Sequence, residues 1–360
     1  MVTTFTNRAR VAFTFAALAL VFAAGPAFAA DDSNKPPHVA DPFADPKNDP
    51  YNPLRYIASN ALTTIAVLLI GATALSHVFC MWKWRAWWMS CLIIGEFAFA
   101  YGIGCRYVLH NDPDSKTWYI MEYLFVILSP CTFVAADYII LGRLVQFLGC
   151  QKHLRLVPPR RIALLFLCSD VITFLIQTTG GVVLMGDSPS SGKNGTRIFL
   201  WGLIIQLLSF FLFFAIFAIF VYRIRKYEVR VWEKDSREVW YNDWRALAGA
   251  LAVNCVGIII RSLYRTVEMS QGFHSTLSTT ESYFYALDTL PLFLAIVVYV
   301  PFWPGRFITS DAMPTGKMLD DEQADYVGLA SRKGNFEAMR MNKAGFSDSS
   351  VTLHVPEARP

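Results

Sequence analysis

Seven long apolar windows constrain this chain more than any other feature; they lie at about residues 57–80, 87–109, 119–142, 162–184, 198–222, 246–268 and 283–303. About 20 apolar residues wound as a helix cross the roughly 30 Å of hydrocarbon in a bilayer. Lipid offers the backbone no hydrogen bonds, so runs of this length must be helical. Across the chain 54% of residues are hydrophobic and 17% charged, against about 45–50% and 25% in soluble domains. A soluble enzyme, a disordered scaffold and a collagen-like chain are excluded. The expected class is all-α, a polytopic membrane protein with seven transmembrane helices. A net charge of +4 is too mild to argue for a nucleic-acid partner, and none is expected.

The ends differ from the middle. Residues 1–29 read as a signal peptide: Arg8 and Arg10, a short apolar stretch from Val11 to Ala24, a Gly25-Pro26 break, and a small-x-small site at Ala27-Phe28-Ala29. Residues 30–53, rich in Asp and Pro, are expected to be a disordered lead outside the cytosol. The membrane domain is assigned to 54–305, and 306–360 to a disordered cytosolic tail.

Loop charges set the direction. The first, third and fifth connections hold fourteen Lys and Arg, from Lys83 and Arg85 to Arg245, whereas the alternate ones hold Lys116, Lys193 and Arg197. The positive-inside rule then places the N-terminus outside and the C-terminus in the cytosol. Asn194-Gly195-Thr196, a glycosylation acceptor pattern, falls in an outside loop by this count. A signal peptide and a sugar together imply the secretory pathway, with the plasma membrane as the expected destination. Trp82, Trp84, Trp87 and Trp88 cluster at an inner boundary as interface anchors. The seven cysteines lie in or beside spans and read as small core residues, with no extracellular disulfide framework.

Ionisable groups within spans are costly and face a partner or a watery cavity. Here they include Glu96, Arg106, Glu122, Asp137 and Asp170, with Gln177 and Gln206 beside them. Asp170 and Gln177, seven apart, share a helix face. Arg261, Arg265 and Glu268 share another, as do Glu281 and Asp288. At 1.5 Å per residue, Arg261 and Asp288 reach similar depth on antiparallel helices. An ion-pair ladder of Arg261, Arg265, Glu268, Glu281 and Asp288 is expected there, with a kink before Pro291. Asp170 has no basic partner on its own helix, which points to a polar cavity suited to an amphiphile with a polar or cationic head. Tyr101, Arg106, Asp137 and Gln206 join Asp170 and Gln177 as expected substrate-path residues.

Several motifs lead elsewhere. Asn52-Pro53-Leu54-Arg55-Tyr56 fits N-P-x-x-Y but precedes the first span, and no Asp-Arg-Tyr ends the third. Gly186 to Lys193 has the wrong spacing for a phosphate loop. There is no H-E-x-x-H, and two histidines per side make a poor three-histidine zinc site. No catalytic residue, metal or cofactor is expected, and the chain is not read as an enzyme.

The stretch Ile260-Arg261-Ser262-Leu263-Tyr264-Arg265-Thr266-Val267-Glu268, followed by Gly272, Glu281, Tyr285 and Asp288, resembles the I-R-x-x-[FY]-R-x-x-E…G…E…Y-x-x-D block of the fungal lipid-translocating exporter family, also called the aminocholesterol-resistance family. Other blocks follow in order. Ser129-Pro130 with Ala135-Ala136-Asp137-Tyr138 and Leu141-Gly142-Arg143 resembles the third span, Asp170-Val171 with Gln177 and Gly180-Gly181 the fourth, Gly202-Leu203 with Gln206 the fifth, and Tyr51, Pro53 and Asn60 the approach to the first. One block departs: Glu96 and Arg106 stand ten apart where the family has seven, which leaves the role of Glu96 open. The resemblance spans about residues 51–306. It implies ATP-independent translocation or export of amphiphilic lipids resembling sphingoid bases, giving resistance to toxic lipids or stress. Membrane lipids and the lipid substrate are the implied partners; oligomeric state is left open. A seven-helix lipid receptor signalling to the cytosol is the alternative with the same topology.

Overall fold

The computed structural model describes residues 43–49, 52–150, 159–184, 189–232, 243–272 and 275–308. The expected signal peptide lies outside them, as does the expected tail from 309 onward. Among the described residues the structure is helical, without strands.

Six helices are long and apolar enough to cross a membrane. In chain order they are α1 (Asn60–Lys83), α2 (Ser90–Gly104) continued by α3 (Arg106–Asn111), α4 (Lys116–Phe147), α5 (Pro159–Leu184), α6 (Pro189–Tyr227) and, after the short α7 (Val229–Trp232), α8 (Trp244–Gln271). The seventh window is helical but shorter and irregular. It begins as α9 (Glu281–Tyr283), widens into a π-helical segment Phe284–Thr289, and ends as α10 (Leu290–Val297). Turns replace the helix expected up to 303, since Pro301 disfavours helical geometry at the residue before it. The π segment leads into Pro291, which has no N–H for the carbonyl four residues back; the expected kink takes this form. The small α11 (Pro304–Phe307) closes the described part.

The end at which α1 starts is here called the upper end. Short turns at Trp84–Ala86 and Asp112–Ser115 reverse the chain, so neighbouring helices run antiparallel. α4 is the hub, with 78% of its span window buried against 22% for α6. Small residues let helices close on it, as expected where lipid gives no hydrophobic drive for association. A Cβ on Gly95 of α2 would fall 1.8 Å from Thr132 Oγ1 of α4, and one on Gly102 would fall 2.9 Å from Phe125 Cβ. α5 and α6 meet the same way: a Cβ on Gly180 would lie 2.5 Å from the Phe199 backbone nitrogen. α8 meets α10 where Gly257 faces the Pro291 carbonyl, 2.6 Å from such a Cβ.

Part of the lead before α1 falls within the described residues. Residues 43–49 form turns, Asp49 and Asn52 are buried, and Arg55 Nη1 donates to the Lys47 carbonyl at 3.0 Å. Asn52 Oδ1 holds the bend, accepting from the backbone nitrogens of Leu54 and Arg55 at 3.0 and 3.1 Å, an Asx-turn. Asn194 differs from expectation. It is exposed on the first turns of α6, not in a loop.

Candidate functional site: a polar path through the upper half

The upper half of the bundle is built around three arginines. Arg106 is almost fully buried where α2 passes into α3. Its Nη1 donates to Glu122 Oε1 of α4 at 2.8 Å, and its Nη2 donates to Tyr56 Oη at 2.7 Å and to Glu281 Oε1 at 3.1 Å. The Phe284 ring lies 4.5 Å from the guanidinium carbon, a cation–π contact. Glu281 Oε1 also accepts from the Ser59 backbone nitrogen at 2.8 Å, tying the start of α1 into the group. The Tyr56 hydroxyl, which precedes the first span, is pushed up to about 12 by burial, against the opposing pull of Arg106. It stays neutral and accepts from the arginine.

The other two arginines stand on α8. Arg265 Nε donates to Asp288 Oδ1 at 2.6 Å, and its Nη1 donates to Glu268 Oε2 at 3.0 Å. Arg261 Nε lies 2.9 Å from the same Asp288 oxygen, as an ion-pair contact without hydrogen-bond alignment. The aligned bond of Arg261 goes elsewhere: Nη2 donates to the Val126 carbonyl of α4 at 2.7 Å. The cause is local. Pro130 interrupts α4 and has no N–H for the carbonyl of Val126, four residues back. Arg261 supplies the missing donor and fixes α8 to α4.

The structure thus brings together four of the five residues expected in the ladder. Glu281 is the exception. It pairs with Arg106, not with α8, because the chain from Gly272 to Thr280 carries the start of α9 toward α1 and α3.

Two cavities flank these charges. The first is lined by Asp170, Gln177, Gln206, Tyr123, Arg261 and Arg265, among others, and has about 30 Å³ of room for water centres. The second, with about 40 Å³, is lined by Tyr56, Arg106, Tyr119, Glu122, Glu268 and Phe284, among others. Each has room for roughly two to four waters. In the first, Tyr138 Oη donates to Asp170 Oδ2 at 2.8 Å, and Gln177 Nε2 donates to Gln206 Oε1 at 2.6 Å. Asp170 Oδ1 and Gln177 Oε1 are buried with no hydrogen-bond partner among the described residues. Both are acceptors and can take a donor, an ammonium, a hydroxyl or water; the unaligned donor on the same wall, Arg261 Nε, lies against Asp288.

Two expected path residues lie elsewhere. Asp137 is fully buried but lines neither cavity. Its Oδ1 accepts from Asn254 Nδ2 at 2.7 Å and from Tyr299 Oη at 2.9 Å, a sealed tether between α4, α8 and the C-terminal turns. Tyr101 is 47% exposed on the outer surface, with its ring edge-on to Phe125 at 4.8 Å. Five residues separate it from Arg106, so the helix carries it roughly 140° beyond a full turn and it faces outward. At Gly180 the backbone that approaches closely is that of α6.

The sequence reading missed one pair entirely. His77 Nδ1 lies 2.7 Å from Glu96 Oε1; both side chains are fully buried, and the His77 ring tilts against Trp303 at 5.2 Å between centroids. This gives Glu96 a partner on α1. The signal was present, since each is a polar residue inside an apolar window, but the spacing of 19 crosses a turn. Among the described residues, no group of three or more His, Cys, Asp or Glu is placed to hold a metal ion.

Comparison with known proteins follows the same residues. The family described as RTA1 like protein matches over residues 92–311, from α2 through the C-terminal turns. The chain is 31% identical over 212 residues to Protein RTA1 of Saccharomyces cerevisiae, covering 59% of this chain and 64% of that one. It is 29% identical over 194 residues to Protoporphyrin uptake protein 1 of the same yeast, covering 54% and 61%. The yeast sphingoid long-chain base transporter RSB1 is 24% identical over 270 residues, covering 66% and 70%. The match therefore spans somewhat under two thirds of the first two relatives. No solved structure matches. The chain belongs to the RTA1-like family, the fungal family that its motifs resemble.

Proposed function

We propose that this protein moves amphiphilic lipids with a cationic, hydroxyl-bearing head across a fungal membrane without ATP, acting as a carrier and not as an enzyme. One observation carries the reading: a chamber inside an apolar bundle where two buried acceptors, Asp170 Oδ1 and Gln177 Oε1, have no hydrogen-bond partner among the described residues, whereas the cations on its wall, Arg261 and Arg265, are already held by Asp288. A carboxylate there offers an ammonium head the counter-charge that the membrane interior denies it. A relative named as a sphingoid long-chain base transporter supports the same substrate class. The chamber has room for waters only, so passage of a head group requires the helices around it to part.

The topology proposed with it has seven spans, the irregular segment from Glu281 to Val297 being the last. The N-terminus lies outside after signal cleavage, Asn194 carries a sugar, and the tail is cytosolic. Export from the plasma membrane gives resistance to toxic lipids. N-terminal sequencing and glycosidase treatment test the topology; a retained Met1 or an unglycosylated Asn194 contradicts it. Purified protein in vesicles, with a fluorescent sphingoid base added to one leaflet, tests the activity. Protein-dependent appearance in the other leaflet without nucleotide is expected. Binding without movement would favour a receptor.

A further inference from the structure

The two cavities share three lining residues, Tyr123, Arg265 and Met269. These side chains form the wall between them. We propose that the cavities are two stations on one path, and that Arg265 with Met269 is a movable partition between them. The proposal rests on the transport reading and adds a second station, a gate and a reason for head-group selectivity.

The geometry gives the partition a latch. Arg265 is held across the wall by Asp288 Oδ1 at 2.6 Å and Glu268 Oε2 at 3.0 Å. Asp288 stands on the π-helical segment Phe284–Thr289, next to Pro291. Such wide turns recur at functional sites and are less tightly fixed than an α-helix, so the anchor of the latch sits on the most irregular part of the bundle. Swinging Arg265 aside would strip Glu268 of its cation and leave Asp288 with Arg261 Nε alone, at 2.9 Å, and a low-dielectric interior penalises a stranded carboxylate strongly. A cationic head arriving from the Asp170 chamber removes that penalty by taking the place of the guanidinium. A neutral or anionic head of the same size does not. Beyond the wall, the second chamber offers Glu122 Oε2, which is also buried and unpartnered, and the rings of Tyr56, Tyr119 and Phe284. Carboxylate and aromatic faces together suit an ammonium. Selectivity for a cationic head then arises at the gate as well as at the first station.

The test uses the full-length protein in vesicles, with a tail-labelled fluorescent sphingoid base and its N-acetylated, uncharged analogue as probes. Met269→Trp should block the wall: transport of the base falls at least tenfold, and by at least fivefold more than its binding does. Met269→Ala should raise transport at least threefold, and wild type should pass the base at least tenfold faster than the analogue. Unchanged transport in monodisperse Met269→Trp protein would overturn the partition and leave the transport reading standing. Binding and transport lost together would place Met269 in the first station and also overturn it. If Met269→Trp does not fold, Met269→Ala decides, and a rate at or below wild type counts against the gate. No protein-dependent movement of the base by wild type would instead remove the transport reading on which the gate rests.

Discussion

The upper and lower halves of the bundle both bury ionisable groups, and they do so differently. In the upper half three arginines meet four carboxylates, Glu122, Glu268, Glu281 and Asp288, beside two cavities. In the lower half the acids pair with groups that can be neutral: Glu96 with His77, and Asp137 with Asn254 and Tyr299. Neither cavity reaches those residues. Close approaches shut the packing around Glu96 from mid-bundle to the lower end: Gly95 against Thr132, and Gly305, 2.4 Å from Ala86 Cβ if it carried a Cβ. A buried charge therefore does not by itself mark a path. Charges next to free volume and unpartnered atoms suit passage, whereas charges capped by neutral donors in a packed interior act as tethers.

The largest effect should come from overfilling the packing around Glu96. Gly95→Val would place a branched side chain where even a Cβ sits 1.8 Å from Thr132 Oγ1. Overpacking costs about 1–3 kcal/mol and sometimes more, and the contact here is extreme. Little monodisperse protein is expected, as size-exclusion chromatography would show. Full yield would mean that the halves do not differ in packing.

Asp288→Asn comes next. It removes the carboxylate that Arg261 and Arg265 share, leaving Arg265 with Glu268 and Arg261 with the Val126 carbonyl; losing one partner of a buried pair costs about 3–5 kcal/mol. A marked fall in melting temperature is expected, and adding Arg265→Gln should restore part of it. Simple addition of the two losses would show that Arg265 and Asp288 are not coupled. Asp137→Asn should be milder, since the amide can still accept from Tyr299 and Asn254; a loss of about 1–2 kcal/mol is expected.

The smallest effect is at high pH. Tyr56 is raised in the folded protein to about 12, from an ordinary value of 10. Between those values the unfolded chain releases this proton and the folded one keeps it, so stability falls as pH rises from 10 to 12 and is unaffected below 10. Tyr56→Phe should lose part of that decline in melting temperature. An identical pH profile would show that Tyr56 contributes nothing to it.

The sequence showed the helices clearly and their neighbours poorly. Apolar windows located six spans because lipid leaves the backbone one option. The i, i+4, i+7 spacing of Arg261, Arg265 and Glu268, with matched depth at Asp288, also placed an interhelical cluster. These helices are apolar on nearly every face, however, so periodicity says little about which face meets which neighbour. For that reason spacing alone groups Glu281 with α8 instead of Arg106, groups Asp137 and Tyr101 with the path, and gives no sign that His77 meets Glu96. The role of Pro130 illustrates the limit. The proline was visible in the sequence, but that Arg261 answers its missing N–H depends on two helices meeting.

Asp170 and Asp137 are both buried acids on central helices, and the account gives them different work. The most direct measurement is transport of a fluorescent sphingoid base per folded molecule in vesicles, for Asp170→Asn and Asp137→Asn side by side with wild type. Asp170→Asn should keep its folded yield and lose at least tenfold in rate. Asp137→Asn should lose stability and yield but keep a rate per folded molecule within about twofold of wild type. Normal transport by well-folded Asp170→Asn protein, or equal loss of rate in both variants, would contradict the claim that the upper cavities carry the head group.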